Sequence, residues 1–468
     1  MGPVLVLLFV ALEIAAFYCA WRAIASARTP QGAVGWVVFL IAAPHFAVPL
    51  YLFLGHHRFR GYLIARRESE AVVDGVKRFA AAHAPLTAPE IDPLPFERLA
   101  ELPAARGNSM RPLIDGAETF DAIFAAIDAA DTYILAQFYI VHDDAQGRAF
   151  RDRLIAAAAR GVEVRFMTDA VGSHKLPEAY FESLRTAGIS VVDPKNRRGP
   201  RHRFQLNYRN HRKTVVVDGK QAFTGGLNVG NEYMGRDPRF GNWRDTHVEL
   251  RGPMVAQLQL VFAEDWHWAS GEVIIDRLKW DAPLCEDDMT GLVVATGPGD
   301  EMETGALMFF SAITAAKKRV WIASPYCIPD TDVLSALKHA ALSGLDVRLL
   351  LPEVIDHRTP WFAAFAYFDE LRAAGVQIWR YDNGFMHQKI ILVDDALAGI
   401  GTTNLDNRSF RLNFEAMALF FDPRAAEAVE SFLEVDFSYA FRLEKTLPEQ
   451  PRKIRIGAPI ARLFAPLL

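Results

Sequence analysis

The chain has 468 residues, with 51 Lys+Arg against 56 Asp+Glu and a formal net charge of −5, so no broad basic surface for nucleic acid is expected. It is 51% hydrophobic with a mean hydropathy of +0.07, high for a soluble protein, and the excess lies at the front. Only three cysteines are present, Cys19, Cys285 and Cys327; their wide spacing argues against a disulfide framework and fits a reducing compartment.

Residues 3–21 and 34–54 are almost entirely apolar, each near the roughly 20 residues a helix needs to cross a bilayer. A cleaved signal peptide competes for the first segment. No basic stretch precedes it, and no small-x-small cleavage site with a polar mature start comes after it, so a transmembrane hairpin over 1–60 is expected. The connecting loop holds Arg22 and Arg28, whereas Arg58, Arg60, Arg66 and Arg67 come after the second segment. That bias places the remainder of the chain on the cytoplasmic side. Glu13 and His45 fall midway along the two segments, where an ionised group is costly unless paired; a hydrogen bond between them is one expectation, and a neutral or subunit-facing Glu13 the other. Residues 61–105 read as a linker, because 80–103 is rich in Ala and Pro.

Beyond the linker the chain reads as two copies of one α/β unit, 106–285 and 286–468. "ADTYILAQFYI" corresponds to "KKRVWIASPYCIP", each an apolar strand ending beside Tyr139 or Tyr326. An amphipathic helix comes next in each copy, over 147–160 and 331–343. The strands "GVEVRFMTD" and "GLDVRLLLP" succeed it, introduced by a glycine that stops the helix. Alternating strands and helices predict mixed sheets with helices on their faces, two such sheets being pressed together. The tyrosines read equally well as core.

Late in each copy stands His-x-Lys-x4-Asp: His211, Lys213 and Asp218, then His387, Lys389 and Asp394, 176 positions on. Ten residues after each Asp an Asn closes a small-residue turn, Asn228 in "GGLN" and Asn404 in "GTTN". The run after each Lys reads as a short buried strand, and alternation puts each His and its Lys on one face. Two imidazoles, two ammonium groups and two amides suit a phosphate diester. Lys and Asn bind its anionic oxygens, one His attacks phosphorus, and the other protonates the leaving oxygen. No cluster of Asp, Cys or His has metal-ligand spacing, so neither metal nor cofactor is expected. Asp218 and Asp394 fall on the opposite strand face and read as structural, although they complete the motif. A later carboxylate in each copy, Asp245 in "NWRDTHVEL" and Glu415 in "LNFEAMALF", can hold a histidine in its working tautomer. Position pairs Asp245 with His211 and Glu415 with His387, a crossover between halves being the alternative. His247 and Glu249 read as core or surface residues.

The doubled motif resembles that of the phospholipase D superfamily, and its surroundings are similar to the bacterial cardiolipin synthase family. "NYRNHRK", "GGLNVGNEYMG", "WRDTHVELRGPMV", "SPYCIPD", "NLDNRSFRLNFE" and the closing "RLFAPLL" carry the resemblance over nearly the whole chain. Thr402 stands where the family usually has Ser, and His45 and Pro49 interrupt a segment usually richer in small residues. The resemblance implies two phospholipase D-like halves around one central active site. The implied enzyme is a multi-pass protein of the bacterial inner membrane that moves a phosphatidyl group between two phosphatidylglycerol molecules, giving cardiolipin and glycerol through a phosphatidyl-histidine. His211 is the expected nucleophile and His387 its acid–base partner. Phosphatidylglycerol, other anionic phospholipids and the membrane are the expected partners; nucleic acid is not, and oligomeric state is open. Hydrolysis to phosphatidic acid and use of phosphatidylethanolamine as co-substrate are the alternatives. The basic run at 195–203 reads as a headgroup contact or a solvated loop.

Overall fold

The computed structural model describes residues 3–26, 30–55, 70–192 and 209–468. Arg28, Arg58, Arg60, Arg66, Arg67 and the basic run at 195–203 lie outside the described residues.

Helix α1 (Pro3–Ser26) contains a 20-residue apolar stretch, Val6–Ala25, and among the described residues it is the one helix long and apolar enough to cross a membrane. The second segment, expected as one span over 34–54, is instead two helices, α2 (Pro30–Ala42, 13 residues) and α3 (Pro44–Leu54, 11 residues). Pro44 is the cause: its ring disfavours helical geometry at the preceding residue, and Ala43 sits at φ −147°, ψ 62°. Ala16, Cys19, Ala20 and Ala23 of α1 pack against Leu40, Ala47, Val48 and Tyr51, small side chains allowing close helix approach. Among the described residues no hydrogen bond or ion pair joins Glu13 to His45; Glu13 is half-buried, and His45 is exposed beside the Phe46 ring.

The expected linker is not a loose tether. It forms the helices Glu70–Ala82 and Leu94–Ala100, and Val76, Ala80, Ile91, Phe96, Ala100 and Leu102 are buried, all but Ala80 within the hydrophobic core of the second half. Apolar residues scattered among its prolines decide this, since Ile91, Phe96, Ala100 and Leu102 find core positions, while Pro93 and Pro95 fall at a helix start.

Each half is a mixed sheet built in the same order. In the first, β1 (Ala105–Ile114) is joined across the sheet by β9 (Thr246–Arg251), β7 (Gln221–Gly225), β6 (Thr214–Val217), β2 (Tyr133–Phe138), β3 (Glu163–Thr168) and β4 (Ser190–Val192). The second repeats it as β10 (Met289–Thr296), β19 (Asn413–Phe420), β17 (Leu397–Gly401), β16 (Ile390–Val393), β11 (Arg319–Ala323), β13 (Asp346–Pro352) and β14 (Gln377–Tyr381), with β20 (Ala440–Arg442) added at the edge. The two sheets press together: β17 lies against β7 and β9, and β19 against β7, across a buried core that both halves share. They also join along one edge, β1 running antiparallel to β10 with Ala105 opposite Gly291 and Asn108 opposite Met289; beyond Gly291 that pairing stops, and the Val293 amide donates to Gln257 Oε1 instead.

Helices cover both faces. The helix Pro253–Ser270 is apolar almost all round and buried from Pro253 to Trp266, as an internal helix must be. It and its counterpart Pro423–Ser438 pass beneath the seam and contribute Asp265 and Asp436 to a buried polar network around the site.

Candidate active site

Two short parallel bridges carry each motif histidine into the opposite half. Strand β5 (Arg209–Asn210) pairs with β19, Arg209 opposite Asn413 and Asn210 opposite Phe414, and the His211 amide donates to the Phe414 carbonyl at 3.0 Å. Continuing that register sets His211 beside Glu415. Likewise β15 (Phe385–Met386) pairs with β8 (Trp243–Arg244), and the His387 amide donates to the Arg244 carbonyl at 2.8 Å, setting His387 beside Asp245. The pairing read from sequence position is therefore corrected to the crossed one. His211 Nδ1 lies 2.9 Å from Glu415 Oε2, and His387 Nδ1 lies 2.9 Å from Asp245 Oδ2.

A carboxylate acceptor assigns each ring proton to Nδ1 and leaves the Nε2 lone pair free. Both carboxylates have other donors to fix them. Thr402 Oγ1 donates to Glu415 Oε2 at 2.6 Å and Asn413 Nδ2 to Oε1 at 3.0 Å. The Trp243 indole N–H reaches Asp245 Oδ2 at 3.3 Å, and the Thr246 amide reaches Oδ1 at 2.8 Å. Gly226 is required here, since a Cβ on it would lie 1.9 Å from Asp245 Oδ1.

Both lysines are buried, and each Nζ donates to the carbonyl of its own histidine, Lys213 to His211 at 2.6 Å and Lys389 to His387. Burial is the largest cause of every shift in the cluster. It pushes His211 down to about 4 against the pull of Glu415, and lowers His387 with help from the Lys389 charge. Burial lowers Lys213 to about 7 and Lys389 to about 8, the charge of Lys389 further depressing Lys213. For Asp245 and Glu415 burial alone would raise the carboxyl. The facing His387 and Lys389, and the facing His211 and Lys213, instead hold them below the usual carboxylate range. Groups from the two halves thus sense one another across one centre. That centre gathers two lysines and two carboxylates, all four buried.

The remaining sequence-nominated residues take various positions. Asp218 and Asp394 lie at the far ends of β6 and β16, both in left-handed turns at φ 55° and 51°. Asp218 accepts from the amides of Asp131, Thr132 and Tyr133 at 2.7–2.9 Å, and Asp394 from those of Lys317, Lys318 and Arg319 at 2.8–2.9 Å. They clamp the start of the neighbouring strand and make no contact with the chemical centre. Asn228 is buried and accepts from the Ile140 amide at 3.0 Å; Asn404 is buried with Oδ1 unpartnered among the described residues. Tyr139 places its ring edge-on to His211 at 5.0 Å, and the Tyr326 hydroxyl donates to Asp356. His247 is a core histidine accepting from the Leu227 amide at 3.3 Å, and Glu249 pairs with Arg111 and Arg251.

Sequence reasoning missed the second layer. Arg212 pairs with Asp265 at 2.6 Å and donates to the Glu415 carbonyl at 2.9 Å. Arg244 pairs with Asp436 at 2.6 Å across the seam, and Gln388 joins it there at 2.7 Å. Trp243 and Arg244 were visible only as part of "WRDTHVEL"; nothing local marks an indole whose carboxylate partner, Asp245, is shared with a histidine 142 positions beyond that carboxylate.

Comparison with known proteins agrees with this geometry. The family model described as "Cardiolipin synthase, PLD-like domain" matches residues 123–266 and 309–436, one stretch in each half. The chain belongs to the cardiolipin synthase family. Cardiolipin synthase A of Pseudomonas aeruginosa is 43% identical over 99% of this chain and 96% of its own length. Cardiolipin synthase A of Pseudomonas entomophila is 42% identical over 98% and 97%. Among solved structures, the phosphatidylserine synthase of Haemophilus influenzae Rd KW20 superposes with a TM-score of 0.62 over 80% of this chain and 99% of that one. At 15% identity it shows the shared fold alone.

Proposed function

We propose that this chain transfers a phosphatidyl group from one phosphatidylglycerol to another, releasing glycerol and forming cardiolipin. The observation that carries this is the pair of crossed His–carboxylate dyads with two buried lysines between them. Neutral His211 attacks phosphorus through Nε2 while His387, protonated and held by Asp245, gives its proton to the departing glycerol oxygen. The N–P bond formed replaces the P–O bond broken, and Glu415 stabilises the positive ring that results. His387, now neutral, takes the proton from a hydroxyl of the second phosphatidylglycerol, whose oxygen displaces His211. One diester replaces another, so no nucleotide is consumed. Lys213, Lys389, Asn228 and Asn404 are assigned to the phosphate oxygens, and Asp218 and Asp394 to the scaffold.

In this reading α1 and the broken α2–α3 pair anchor the chain in the bacterial inner membrane as a hairpin, with the two halves on the cytoplasmic side. The deciding experiment supplies labelled phosphatidylglycerol alone to detergent-purified protein, with chelator present, beside His211→Ala and His387→Ala. Cardiolipin plus glycerol from the unmodified chain and neither from the variants is the expected result. Phosphatidic acid without cardiolipin would make water the acceptor, and cardiolipin from either variant would overturn the assignment of that histidine.

A further inference from the structure

The helix Arg452–Arg462 has two apolar faces where the fold needs one. Ile454, Ala458 and Ala461, at i, i+4 and i+7, are buried, and the helix packs on Arg358–Ala373, where Arg462 also lies over the Tyr367 ring at 4.6 Å. The outward side should then be polar. It is not: Ile456, Ile460, Leu463 and Phe464 are 52%, 55%, 79% and 51% exposed, and Ile456, Ile460 and Leu463 form a second stripe at helical spacing. Arg455 and Arg462 flank that stripe on one side and Lys453 on the other, with Arg452 at its start. Residues 450–468 hold these four basic residues and no acidic one, in a chain of net charge −5.

We infer that the outward face of this helix lies on an anionic lipid leaflet, its apolar stripe in the headgroup–acyl boundary and its basic flanks on lipid phosphates. An exposed apolar stripe bordered by cations is the pattern of an interfacial helix, and the local charge opposes that of the rest of the chain and complements that of the bilayer. The tail beyond the helix connects this surface to the chemical centre. Leu468 O accepts from the Arg408 amide at 2.7 Å and Leu467 O from Arg408 Nη1 at 2.8 Å. Arg408 lies close enough to Arg209 to feel its charge. Arg209 in turn hydrogen-bonds the Tyr139 phenol, whose ring is edge-on to His211. Docking the helix therefore brings the edge of the His211 half to headgroup level, where a double-chained lipid can present its phosphate without leaving the bilayer.

The test uses the full chain in bilayers of phosphatidylcholine with or without phosphatidylglycerol, in a Cys285→Ser background, Cys19 and Cys327 being buried. An environment-sensitive label is placed at Ile460→Cys or, as control, at Lys220→Cys in an exposed turn at the far end of β6. In anionic bilayers the first label is expected to lose iodide quenching and gain quenching by lipids brominated in their acyl chains, while the control stays open to iodide. Each basic residue near an anionic surface is worth about fivefold in local partitioning, so Arg452→Gln, Lys453→Gln and Arg455→Gln together are expected to weaken docking about a hundredfold. A label at 460 as open to iodide as the control overturns the inference. So does protection from iodide without bromolipid quenching, which would mean that a second copy covers the face. The readout does not depend on turnover: His387→Ala is expected to dock as the unmodified chain does, so failure of the proposed reaction and failure of this surface are told apart.

Discussion

Asp245→Asn keeps the shape of the side chain and removes one charge from a fully buried position, 2.9 Å from His387 Nδ1. A carboxylate and an imidazolium with charge centres about 4 Å apart, at an effective dielectric of about 20, attract by about 4 kcal/mol. At about 1.4 kcal/mol per decade, its loss slows phosphatidyl transfer about a thousandfold. An amide that donates where a carboxylate accepts also favours the wrong tautomer, which moves the rate further in the same direction. The crossed geometry makes the effect residue-specific: the His387 pKa falls further, and His211, held by Glu415, keeps its own. Single-turnover transfer from labelled phosphatidylglycerol gives the rate, and 15N-histidine NMR of the variant gives both titrations. A rate loss under about tenfold, or a shift at His211 instead of His387, would refute the crossed dyads.

Two kinds of buried group set the alkaline side of activity. Transfer kcat/KM is expected to rise with pH through about 4 as His211 loses its proton, to fall first as His387, whose pKa burial holds below its ordinary value, loses the proton it must donate, and to fall further through about 7 to 8 as Lys213 and Lys389 lose theirs. A pH–rate profile that stays flat to pH 10 would remove the lysines from the phosphate site. His211 and His247 are pushed down to about 4 and about 3 by burial, so between their unfolded value near 6.5 and those values the unfolded chain binds more protons. Stability present above pH 6.5 is therefore lost on acidification, by about 2 kcal/mol for each of these two histidines at pH 5; thermal unfolding at pH 7 and pH 5 checks it, with His247→Asn removing that one histidine's share of the difference. Asp218→Ala strands three backbone amides and should cost about 3 kcal/mol or more, seen as a lower melting temperature with transfer per folded molecule nearly unchanged. Arg244→Met leaves Asp436 as an uncompensated buried charge and is expected to cost about 3–5 kcal/mol, a loss that Asp436→Leu in the same chain should largely restore.

The sequence by itself determined the elements and the chemistry, because both are written in short-range patterns. An apolar run between Lys213 and Asp218 makes a buried strand, and a small-residue turn leads on to Asn228. The repeat at a fixed offset makes two equivalent halves, and two copies of His-x-Lys name a phosphate chemistry. Even the structural role of Asp218 and Asp394 came from strand alternation. What tertiary structure decided was every relation between the halves. The two-residue bridges β5–β19 and β15–β8 choose which carboxylate serves which histidine, and bridges so short have no periodicity to detect. The same holds for the edge-to-edge seam at β1–β10, where one register out of many antiparallel ones is selected by packing on the helix beneath it. It holds for the linker too: the helix Glu70–Ala82 carries an apolar face at helical spacing, but only the fold shows that the second half's core receives Val76, Phe96 and Ala100. The break at Ala43 lies between these cases: Pro44 was in plain view, but an apolar run of spanning length outweighed a single ring whose effect is steric and local.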